Sequence, residues 1–195
     1  MSGGDMVSND EMVAKARSLV GVGMTTDPAR YRELVAAGES ASMAAEMCKM
    51  SGCALAIRGM WRELELDDPR VRPPYKAGMA IAWIVGIARA RNAWQPLGRS
   101  VAQMVWPEPG DVVLVGGRDA GGPEHVYVVD VVDQKTGRLT TIDGGQRDAT
   151  GRQVIQRKTR RWVVLGGRVT DQATASGVVR TVQGFVRCSA LAVKP

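Results

Sequence analysis

A single histidine, His125, occurs among 195 residues. That scarcity excludes a metal centre built on several histidines, and any step that needs an imidazole must use this one. Cysteines number three, Cys48, Cys53 and Cys188, an odd count that leaves at least one thiol unpaired within a monomer. No Cys-x-x-Cys pair exists to grip zinc, so neither metal nor cofactor is expected. Long apolar runs are also missing. The most apolar stretch, between Lys76 and Arg89, spans twelve residues; that is too short to cross a bilayer and reads as a buried helix. The opening "MSGGDMVSNDEM" has no basic segment and no apolar segment, so no signal peptide is expected. Zinc-finger spacing, RNA-binding aromatic motifs, heptads, internal repeats and low-complexity tracts are absent, and nucleic acid is not an expected partner.

What remains is a soluble composition, 45% hydrophobic and 24% charged, in a chain long enough for one sizeable core. The net charge of +6 is uneven. Residues 1–50 carry −2, 51–100 carry +4, 101–150 carry −4 and 151–195 carry +8. The run "RKTRRW", Arg157 to Trp162, makes the last quarter basic. Such a surface suits a polyanion or an anionic bacterial wall, and equally a solvated face of a basic protein.

Along the chain the hydrophobic period changes once. Residues 9–20 read as a helix capped by Ser8 or Asn9, and 27–38 as a short helix with an Asp27 cap and Pro28 at its first position. Residues 40–50 and about 77–91 read as further helices. "SGCALAIRGMW" starts another: Ser51 is a favoured N-cap, and Ala54, Ile57, Trp61 and Leu64 form the buried stripe. From "PEPGD", Pro107 to Asp111, the period becomes two. "DVVLVGG" and "EHVYVVDVV" read as strands; "DQKTG" is a hairpin connection, and "RLTTID" returns until Gly144 and Gly145 end it. More strands are expected around 152–157, 160–166 and 178–188. The expected class is α+β: one domain over 1–195, with a helical half at about 9–100 packed on an antiparallel sheet at about 107–190.

The chemistry centres on Cys53. A sulfur in the first turn of a helix meets unpaired backbone N–H groups and the positive end of the helix dipole, which favours the thiolate. Its own amide is placed to help hold an oxyanion. His125 opens a strand after a Gly-rich loop. Folding the hairpin about Lys135 makes opposed residues sum to about 270, which puts Asp143 one diagonal step from His125 on the same face. Cys53 as nucleophile, His125 as general base and acid, and Asp143 as orienting group therefore form a candidate acyl-transfer set. Taken singly, each has a structural reading: a core thiol, a structural imidazole, a turn-capping acid. Cys48, inside or at the end of the preceding helix, lacks the electrostatic advantage. Gln146 is a lesser candidate for the third position, on the other face by simple alternation.

These pieces resemble the papain-like cell-wall hydrolases, the CHAP amidases and NlpC-type cysteine peptidases. The likeness spans roughly residues 10–146: "AKARSLVG" for the leading helix, "SGCALAIRGMW" for the nucleophile helix, "PEPGDVVLVGG", then "EHVYVVDVV" and "TIDGGQ". The resemblance implies a papain-like fold and a cysteine amidase or peptidase cleaving amide bonds in bacterial peptidoglycan or its peptide stems. It also implies use as a lysin or antibacterial effector, made in the cytoplasm and reaching the wall by specialised secretion or lysis, with an immunity protein as a partner in the effector case. Two alternatives stand beside it: a protease or deamidase toxin acting on a protein, and a non-catalytic basic binding module. The sequence departs from the family at two points: Ser-Gly stands before Cys53 where NlpC-type enzymes commonly have Asp, and an expected glutamine is absent. No glutamine precedes Gln95, so the side-chain oxyanion donor that papain-like enzymes carry before the cysteine is missing.

Overall fold

Ser8 sets the first helix by a reciprocal cap: its hydroxyl accepts from the Glu11 amide, and Glu11 returns a bond to the Ser8 amide. Asp27 caps the second by accepting from the Arg30 amide, with no return bond. The computed structural model describes residues 7–49, 52–66, 77–97, 105–117, 122–165, 167–174 and 177–191. Five helices lead: α1 (Asn9–Ser18), α2 (Pro28–Ala36), α3 (Ala41–Lys49), α4 (Cys53–Glu63) and α5 (Ala77–Ala90). The strands are β1 (Trp94–Pro96), β2 (Val112–Gly116), β3 (His125–Asp133), β4 (Arg138–Arg147), β5 (Gln153–Leu165), β6 (Arg168–Ala173) and β7 (Val179–Val186); a short α6 (Cys188–Leu191) follows.

The expected papain-like arrangement, a helical half laid on a sheet, is not what the chain forms. Strands β2 to β7 pair antiparallel in sequence order, and β7 returns to β2, so six strands close into a barrel. The closing element is β6, "RVTDQA", which the hydrophobic pattern does not mark as a strand. It pairs with β5 along its whole length and with β7 through Thr170↔Thr181, Asp171↔Arg180 and Gln172↔Val179. Closure leaves no open edge at β6. The other half of that β7 edge is taken by β1, through Trp94↔Val186 to Pro96↔Gly184.

Alternation then gives two cores. Inside the barrel lie Val113, Val115, Tyr127, Val129, Leu139, Trp162 and Phe185. Burying an aromatic ring such as Phe185 contributes about 1.5–3 kcal/mol. On the outer wall, Val112, Leu114, Val126, Val128, Ile142 and Ile155 meet the helices, chiefly Ile57, Met60 and Trp61 of α4. The β3–β4 register, Val128↔Ile142 and Val129↔Thr141, has the sum of 270 read from the turn. It slips between Val129 and Val131, where a bulge buries Asp130 between Arg17 and Arg157 and leaves Val131 43% exposed instead of on the His125 face.

Two further expectations change. The two strands expected around 152–157 and 160–166 are one continuous β5, Gln153–Leu165. Gly144 and Gly145 do not end β4; they bulge it, since the pairing with β5 shifts between Asp143 and Gln146 and the strand runs on to Arg147. Asp111, of the Pro-Gly-Asp turn, is fully buried and accepts from the Glu108 and Cys188 amides. It pins the start of β2 to the chain's last helix.

Candidate active site

Gly52 is the N-cap of α4, with no side-chain cap bond, and Cys53 is the first helical residue. Ser51, the expected cap, lies outside the described residues. The end of α4 rests on the β4 bulge. A Cβ on Gly144 would fall 2.5 Å from the Ala56 Cβ, and one on Gly145 would fall 2.6 Å from both the Gly52 and Cys53 nitrogens. Gly145 also has φ +67, the left-handed region that glycine enters without strain. This Gly-Gly contact brings a helix N-terminus against the strand that carries Asp143.

The three singled-out side chains meet there. Nε2 of His125 lies 2.8 Å from Oδ2 of Asp143, inside the barrel end. The imidazole also hydrogen-bonds the Cys53 sulfur. With Nε2 committed to Asp143, Nδ1 is the ring nitrogen left to take the thiol proton. Cys53 is 3% exposed and His125 7% exposed, so the pair is screened from water. Burial alone pushes the imidazole's pKa down. The hydrogen bonds to Asp143 and Cys53 and the charges on both outweigh it, and the result is a rise to about 9. Burial pushes the Asp143 carboxyl up, but His125 and the nearby Arg160 charge hold it below the ordinary carboxylate range. At neutral pH the pair is an imidazolium and a carboxylate.

Behind Asp143 stands a buried polar relay that the motif reading missed. Thr141 donates to Asp143 Oδ1 at 2.6 Å and accepts from Arg160 Nε at 3.0 Å. Arg160 also reaches Asp143 Oδ2 through Nη2, and Asp171 through Nη1 at 2.6 Å. Its guanidinium stacks 4.3 Å over the Tyr127 ring, whose hydroxyl accepts from Trp162 Nε1 at 3.2 Å. Arg160 and Trp162 come from the run read as a basic surface. Alternation turns both inward, and the apolar Trp162 two places after Arg160 was the one available signal.

The rejected candidates fall elsewhere. Cys48 lies in the last turn of α3, and burial pushes its thiol up despite the opposing charge of Arg32. Cys188 is fully buried beside Asp111, and burial raises its thiol well above the usual range. Gln146 is half-buried and bonds the Gly144 carbonyl at 3.4 Å, while Asp143 holds the imidazole.

Tyr31 is a second residue that sequence reading missed. It is 1% exposed, and its hydroxyl has no hydrogen-bond partner among the described residues. It lies over Gly52, where a Cβ would sit 2.5 Å from that oxygen, and it feels the charges of both Cys48 and Cys53. Burial holds the phenol protonated, so it is a donor.

The chain matches no family model, no curated protein and no solved structure. Its chemistry therefore rests on its own geometry.

Proposed function

We propose that the chain is a cysteine amidohydrolase acting on amide bonds of bacterial peptidoglycan. One observation carries the chemistry: a sulfur at a helix N-terminus is hydrogen-bonded to the chain's only imidazole, which is in turn hydrogen-bonded to a buried carboxylate. The substrate class rests on the likeness of the Pro-Gly-Asp, His125 and Asp143-Gly progression to cell-wall hydrolases, and the net positive charge suits an anionic wall.

The steps follow from the residues. An imidazolium beside Cys53 favours the thiolate, which attacks the amide carbonyl carbon. The oxyanion is held by the Cys53 backbone N–H and by the Tyr31 hydroxyl, in place of the missing glutamine. His125 gives its proton to the leaving amine, and a thioester remains. His125 then takes a proton from water, the water attacks the thioester, and the carboxylic acid leaves as the thiol is restored. Asp143 fixes the ring and stabilises its charge, and Arg160 and Thr141 fix Asp143. Digestion of purified peptidoglycan, with products weighed by mass spectrometry, tests the reading. It expects peptide fragments from the wild-type chain and none from Cys53→Ala; equal release from a folded Cys53→Ala variant would overturn it.

A further inference from the structure

Beside the site lies a cavity of about 440 Å³, within the size range of small-ligand and peptide subsites. Its rim carries four cations, Arg32, Lys49, Arg147 and Arg152, and none of its described lining residues is acidic. Two elements contribute to both places: α2 carries Arg32 and Tyr31, and β4 carries Asp143 and Arg147. Lys49 has an exposed partner in Glu46 at 2.7 Å, and Arg147 spends one donor on the Gly151 carbonyl at 2.6 Å. At the cavity wall, Gln153 is buried and its Oε1 has no hydrogen-bond partner among the described residues.

A buried acceptor without a donor is costly, so a ligand N–H that draws the Gln153 side chain toward the cavity gains by pairing it. The rim calls for negative charge, and guanidinium groups pair well with carboxylates. Carboxylate and N–H on one small ligand describe an acidic peptide. Inorganic phosphate and a nucleic-acid backbone bring the charge without the donor.

We infer that this cavity is the subsite for a carboxylate-bearing segment of the substrate, and that the enzyme selects acidic peptides. The placement beside Cys53 rests on the amide-hydrolysis reading, while the binding itself does not.

The test uses the full-length Cys53→Ala chain, so binding stands or falls without turnover. Calorimetry compares a blocked tetraglutamate peptide with its tetraglutamine analogue at low salt. The tetraglutamate is expected to bind at least tenfold tighter, with the difference shrinking as salt is raised. Adding Arg147→Gln and Arg152→Gln is expected to cost tenfold or more. Neutralising Arg138 and Arg161, two exposed arginines further along the sheet, is expected to leave affinity unchanged. Equal binding of the two peptides overturns the proposal, as does equal loss in both double variants. Inorganic phosphate or duplex DNA displacing the peptide at comparable or lower concentration also overturns it.

Discussion

His125 on β3 and Asp143 on β4 meet inside a closed barrel, 2.8 Å apart between Nε2 and Oδ2. The imidazole reaches outward from that pair to Cys53, on a helix that belongs to the other core. The site therefore joins the barrel interior to the helical layer, and perturbing either side has a calculable consequence.

Charge on the imidazole sets a pH window. The folded-state pKa of about 9 lies above the ordinary 6.5. The interaction thus stabilises the fold fully below about 6.5 and is lost as pH rises through about 9. The shift corresponds to on the order of 3 kcal/mol. Hydrolysis is expected to fall on the alkaline side near pH 9. In Asp143→Asn that limb should move toward lower pH, because a bond and a charge that hold the proton are gone. A pH profile of kcat/KM in both proteins checks this, and an unmoved limb would contradict it.

Removing the Tyr31 hydroxyl separates catalysis from stability. Tyr31→Phe is expected to lower kcat by roughly 10²–10³-fold, the usual loss for one oxyanion donor, with KM little changed. Stability should hold or rise slightly, since the deleted hydroxyl is buried without a partner among the described residues. A thermal melt beside initial-rate kinetics reads both, and unchanged kcat would remove Tyr31 from the oxyanion site.

The Gly-Gly bulge should tolerate no side chain. Gly145→Ala places a Cβ 2.6 Å from two backbone nitrogens at a positive φ. A cost of about 1–3 kcal/mol is expected from strain and overpacking. Because the clash pushes α4 away from β4, activity should drop by more than stability alone explains. Denaturant unfolding and peptidoglycan release, measured on the same protein, compare the two.

Arg160→Met leaves Asp143 and Asp171 without their shared cation in a dry interior. Breaking a buried pair this way costs about 3–5 kcal/mol. Loss of that size in chemical denaturation is expected, whereas Arg161→Met, one residue away and exposed, should change stability by about 0.5 kcal/mol or less.

The sequence was most readable where local rules act alone. The Ser8 and Asp27 caps, the helix with Cys53 in its first turn and the β3–β4 turn follow from residue type and spacing, and the turn fixes which residues oppose one another. Three things escaped it. Strand β6 carries Thr170, Asp171 and Gln172 in place of an apolar run, because Asp171 points into the buried layer under Arg160 while Thr170, on the opposite face, donates to the Val163 carbonyl; without that strand the sheet reads as open. Arg160 reads as surface charge because burying an arginine requires two acids that lie 17 and 11 residues away in sequence. Tyr31 carries no motif at all; its placement depends on α2 packing against α4.

Because the chain has one histidine, its imidazole can be followed by NMR without assignment. Titrating that ring in the wild-type chain and in Cys53→Ala tests the sulfur–imidazole contact with no substrate present. The account requires a midpoint near 9 that drops clearly once the sulfur is gone. A midpoint near 6.5 in both proteins would contradict it.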